Sequence, residues 1–145
     1  MDLPANRAAA ATSSAAERSE SAGVFLSDVT IAQATEEAIR QVPGVLDLSA
    51  GRFVLAATFG AGRHVTGVVV HHPTPDATGI EVHAVLSERY TRALYVHPED
   101  VAGALRGQPV LIAVAEEIRL AVHRVARTLR LPSLAGVDVF IDDLR

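Results

Sequence analysis

At 145 residues, with a formal net charge of −4 and no cysteine, the chain is sized for one domain that builds its core without cross-links. The missing thiols exclude a disulfide framework, a cysteine nucleophile and any zinc or iron–sulfur site built on cysteine. The acidic balance gives no overall pull on phosphate backbones, so nucleic acid is not an expected partner. All the basic side chains are arginine, a composition from which no function is read.

Met1, Asp2, Leu3 and Pro4 carry no positive n-region and no unbroken apolar run follows them, so neither a secretory signal nor a membrane span is expected. Residues 1–22 are rich in Ala and Ser without an apolar stripe, the composition of a disordered tail. A single domain is expected over 23–145. It begins with the apolar Val24, Phe25 and Leu26 leading into Ser27, Asp28 and Thr30, each able to cap a helix. The first helix carries Ile31, Ala34 or Thr35, Ala38, Ile39 and Val42 on one stripe and stops at Pro43-Gly44.

From Arg52 to Ser87 the apolar period drops to two, which predicts strands over Arg52 to Phe59, His64 to His72 and Ile80 to Leu86. Closing the Gly60-Ala61-Gly62-Arg63 turn so that Phe59 faces His64 sets Phe53, Leu55, Ala57 and Phe59 beside Thr66, Val68 and Val70. Closing Pro73 to Gly79 so that His72 faces Ile80 adds Ile80, Val82, Ala84 and Leu86 to that face. Pro98 to Arg106 reads as a short helix followed by Gly107. Pro109 opens a longer helix to about Arg130, with Leu111, Val114, Ile118, Ala121, Val122, Val125 and Leu129 on its buried stripe. Val137, Val139 and Ile141 alternate with Asp138 and Asp142 in a closing strand. The expected fold class is α+β: a mostly antiparallel sheet, made of a three-strand meander and the C-terminal strand, with helices on one face.

Five pieces in this order resemble the bacterial alkaline shock protein family, the envelope or general stress response proteins. They are Gly23-Val24-Phe25-Leu26-Ser27, Val42-Pro43-Gly44-Val45, the meander, the helix around Val114 to Val125, and Gly136-Val137-Asp138-Val139-Phe140-Ile141-Asp142. The resemblance spans about Gly23 to Leu144. It implies a small non-enzymatic cytoplasmic protein of cell-envelope homeostasis that needs no cofactor. Such a protein acts through a protein partner, membrane-anchored ones included, or through self-association, and is peripheral at the inner face of the membrane by way of its partner. The segment Glu88 to Gln108 is longer than the family's usual link between third strand and long helix.

Three sets of side chains are candidate sites. In the expected register His71, Glu81 and His83 share the solvent side of adjacent strands, two imidazoles and a carboxylate that could take a transition metal. They carry the alternative reading, a metal-binding protein or metal-dependent enzyme, against the plainer one of exposed strand histidines. On the long helix Arg119, His123, Arg127 and Arg130 recur at three- and four-residue steps, a basic ridge for anionic lipid or an acidic protein segment, or a solvated face that complements the helix dipole. Tyr90 and Tyr95 make the Glu88 to Gln108 segment aromatic, as partner anchors or as packing onto the domain itself. No serine sits in a Gly-x-Ser-x-Gly frame, and Gly60-Ala61-Gly62 precedes a strand where a dinucleotide loop would precede a helix.

Overall fold

The computed structural model describes residues 26–96 and 109–145. The expected tail, the Pro98 to Arg106 helix and His97 lie outside the described residues. Helix α1 spans Asp28–Arg40 and is capped by Ser27, whose hydroxyl accepts from the Thr30 amide at 3.3 Å. Asp28 in its first turn and Arg40 in its last complement the helix dipole. The strands are β1 (Val45–Leu48), β2 (Ala57–Gly60), β3 (Arg63–Thr66), β4 (Val68–His71), β5 (Thr78–Leu86) and β6 (Leu134–Leu144). Helices α2 (Glu88–Val96) and α3 (Val110–Thr128) lie in sequence between β5 and β6.

The fold is α+β with mostly antiparallel strands. β5 is its centre. β6 runs parallel along the whole of β5, while β4 and β1 pair antiparallel with its first and second halves. A strand has two edges, so β4 and β1 share the edge that β6 leaves. They meet at His83, whose amide donates to Gly67 and whose carbonyl accepts from Ser49, each at 2.8 Å. Ile80, Val82, Ala84 and Leu86 are completely buried, in one core with Val68 and Val70 of β4, Ile31 and Ile39 of α1, and Ile118 and Val122 of α3. Each large side chain so buried contributes about 1.5–3 kcal/mol.

The expected meander is corrected in four places. First, β2 and β3 form their own two-stranded sheet, closed as expected with Phe59 opposite His64. Second, the strand placed at Arg52 to Phe59 starts only at Ala57, and Phe53 and Leu55 are exposed. Third, the run His64 to His72 breaks at Gly67, which has φ +87°. That one residue reverses the pleat: Thr58 and Val65 point inward on β2 and β3, where Ala57, Phe59 and Thr66 were expected, while Val68 and Val70 keep their places in the core. Fourth, Val70 and not His72 faces Ile80. A slip of two leaves every side chain on its expected face and changes only its neighbours.

Val45–Leu48, given no element in the sequence reading, is a strand. Tertiary pairing with β5 makes it one, since four residues with a bulge opposite Leu86 and Val85 have little tendency of their own. On α3 the buried residues are Ala113, Val114, Ala115, Ile118, Ala121, Val122 and Ala126, while Leu111 is exposed and Val125 and Leu129 are half-buried. A helix in contact with both α1 and β6 buries a broader arc, turned toward its alanines, than a single stripe.

Candidate functional site

Between β1 and β2 the chain forms a loop tied at its base, the Ala56 amide donating to the Ala50 carbonyl at 2.7 Å. Gly51 makes the entry possible with φ +96°, a side chain there standing 2.1 Å from the Val54 carbonyl oxygen. The Gly51 amide also donates to the Ser49 hydroxyl at 3.0 Å. Held out by these ties are Phe53, Val54 and Leu55, exposed to 92%, 80% and 63%. The Arg52 guanidinium lies 5.6 Å from the centre of the Phe53 ring. Three consecutive apolar side chains at that exposure, on a loop fixed by its own backbone, form an apolar knuckle facing water. Contiguous apolar surface of this kind marks contact sites.

A second feature is an open groove of about 620 Å³ between α1 and α3. Ala34, Ala38 and Val42 line one wall and Ala121, Val125 and Leu129 the other, with Glu37 and Glu117 exposed at the rim beside Arg124. Small residues keep the side chains short here, so the helices leave a trough instead of closing ridge into groove.

The metal candidate does not assemble as expected. His71 faces Gly79, and its ring occupies the space a side chain at Gly79 would fill, 2.2 Å from where that Cβ would be. The two-residue slip removes it from Glu81, whose partner on β4 is Val69. Glu81 and His83 do meet, at 3.0 Å from Nε2, but the third group is Asp142, 3.1 Å from Nδ1. Asp142 reaches the ring because β6 carries one extra residue where Ala84 faces Ile141 and Val85 faces Asp143, and a bulge re-aims a side chain. Phe140, opposite His83, stacks on the imidazole with centroids 4.5 Å apart and planes 8° from parallel. Both ring nitrogens thus face carboxylates and one ring face is covered. Among the described residues no three His, Asp or Glu side chains are placed to hold a metal ion.

The arginine ridge is only partly free. Arg119 donates through Nε to the Val137 carbonyl at 3.2 Å and through Nη1 to Glu116 at 2.5 Å, which ties α3 to β6. His123 and Arg127 are exposed. Arg130 lies past the helix end with φ 56°. Its amide donates to Arg127 and that of Leu131 to Ala126, a left-handed helix stop at a position that usually holds glycine. Tyr90 is half-buried against the core, its ring so close to Gly44 that a Cβ there would stand 2.5 Å from Cδ1. Burial, helped by the Glu117 charge, pushes its hydroxyl above the usual tyrosine range. Tyr90 therefore packs on its own domain. Tyr95 belongs to α2, and its side chain lies outside the described residues.

His72 clamps the β4–β5 loop onto the start of α1. Its Nε2 lies 2.8 Å from Asp28 and its Nδ1 3.2 Å from the Ala77 carbonyl. The Asp28 carboxylate, aided by that carbonyl, holds the imidazole above its ordinary value of 6.5. A raised value stabilises the fold fully below 6.5 and loses that contribution as pH rises through the folded-state value. The pair is well exposed, so solvent screening keeps the effect to a few tenths of a kcal/mol. Thermal melts of the native chain are expected to fall slightly between about pH 6 and 8 relative to His72→Gln; parallel curves would remove the clamp from the pH response.

The knuckle was missed from sequence, where Phe53 and Leu55 fall on a strand's apolar face, although one signal stood against that strand. Phe53-Val54-Leu55-Ala56-Ala57 is an unbroken apolar run after Gly51, and an unbroken run conflicts with the alternation required of a half-buried strand. Asp142 left no such trace, because its place depends on a bulge. Compared with family models, with curated proteins and with solved structures, the chain gives no match. No described helix is long and apolar enough to cross a membrane.

Proposed function

We propose that the protein works by binding another protein, as a non-enzymatic interaction module, and that the Phe53-Val54-Leu55 knuckle is its contact. The observation that carries this reading is the knuckle itself: apolar side chains held out at up to 92% exposure by a backbone tie. A loop already held in one conformation loses little entropy on docking, and aromatic side chains, phenylalanine included, are enriched at protein interfaces. The sequence resemblance to the alkaline shock proteins supports a role in envelope homeostasis, cytoplasmic and near the membrane through a partner.

A photo-crosslinking residue placed at Phe53 is expected to yield discrete adducts in native cells, with none from the same residue at the exposed Thr74. Adducts of equal yield at both positions, or none at Phe53, reject the knuckle as the contact.

A further inference from the structure

We propose that the α1–α3 groove receives the Phe53-Val54-Leu55 knuckle of a second copy of this chain, giving a head-to-tail assembly. This deepens the binding reading above and rests on it.

The two surfaces are complementary in shape and charge. The knuckle projects, and the groove is an open trough whose apolar walls include Ala38, Val42, Ala121 and Val125. Arg52 stands beside the knuckle's aromatic tip. Glu37 and Glu117 stand exposed at the groove's rim, two carboxylates against the one guanidinium of Arg124, so the balance there is acidic and Arg52 of one copy meets carboxylates of the next as the apolar groups dock. A lipid surface fits less well. The hollow at the base of the knuckle is mixed in charge, with Asp47, Asp142 and Asp143 beside Arg52 and Arg145, and so lacks the cluster of cations that anionic headgroups recruit.

The contact joins two different surfaces, so it is heterologous. Each copy keeps a free knuckle at one end and a free groove at the other, and growth continues unless the rotation closes a ring. A loop in a groove is a small interface, so association is weak and concentration-dependent.

The test uses sedimentation velocity on the full chain from about 10 μM to 1 mM, the range of weak complexes. The native chain is expected to show a weight-average coefficient that rises with concentration. A Phe53→Ser/Leu55→Ser variant lacks the knuckle, and Val125→Arg blocks the groove; each is expected to stay monomeric. Their equimolar mixture should form a one-to-one dimer and nothing larger, because only one complete contact remains between them. Should Val125→Arg fail to fold, Glu37→Arg/Glu117→Arg replaces it with exposed changes only, and adding Arg52→Glu to that chain should restore association. A monomeric native chain, a groove variant that still associates as the native chain does, or a mixture of folded variants that stays monomeric overturns the proposal. So does flotation with phosphatidylcholine or phosphatidylglycerol vesicles that needs Phe53 while the chain remains monomeric. If self-association is absent but Phe53 still gives adducts in cells, the binding reading stands and the second copy alone falls.

Discussion

Gly67→Ala is expected to remove about 2–5 kcal/mol of stability, a large share of what a domain of this size has. Two costs add. At φ +87° a residue with a Cβ loses about 1–2 kcal/mol against glycine. The new methyl would also stand 2.6 Å from Leu48 Cβ, 3.1 Å from the Ser49 carbonyl oxygen and 3.2 Å from that of His83. Two of these three neighbours are backbone, which cannot rotate away, so overpacking adds about 1–3 kcal/mol. Gly67 also donates to Ala56 and accepts from His83, both at 2.8 Å, and any displacement strains both bonds. Gly62→Ala is the control, since its φ is +72° and nothing lies within 4 Å of the added carbon; only the backbone cost of about 1–2 kcal/mol is expected there. Urea midpoints for the two variants decide the matter. Equal shifts would show that the crowding at Gly67 relaxes freely.

Thr58→Val is expected to cost about 2–6 kcal/mol although it changes volume little. The buried hydroxyl of Thr58 donates to the Val68 carbonyl at 2.7 Å and accepts from the Val70 amide at 3.1 Å. These bonds join the two-stranded sheet to β4 across the break that Gly67 creates. Valine leaves both buried backbone groups without that partner, at about 1–3 kcal/mol each. Thr58→Ser retains the hydroxyl and loses one methyl, so about 1 kcal/mol is expected. Denaturation of the three proteins at unchanged m-value reads the difference directly. A valine variant as stable as the serine variant would mean that water replaces the hydroxyl.

Both predictions concern the place where sequence reading and structure part. Alternation over His64 to His72 is strong enough to announce a strand, and it does announce two, but alternation cannot reveal that Gly67 reverses which face is buried. The register against β5 was displaced by two residues because a six-residue loop from His72 to Ala77 can close in more than one way. The parity of the pleat survived that displacement, and so did the core of Val68, Val70, Ile80, Val82, Ala84 and Leu86. The metal candidate did not survive it, because a constellation needs particular neighbours whereas a core needs only the right face.

What the sequence determined by itself is local and periodic. Ser27 as a cap, the stop after Arg40, the Phe59–His64 hairpin and the helix ending in the region of Thr128 follow from side chains acting on backbone within one turn of their own positions. Tertiary structure alone decided that Val45–Leu48 is a strand, that β6 runs parallel to β5, that Asp142 reaches His83, and that Phe53, Val54 and Leu55 stand in water. Each of these depends on a partner distant in sequence or on an unpaired loop, and the energy that selects them appears only once β5 has neighbours on both edges.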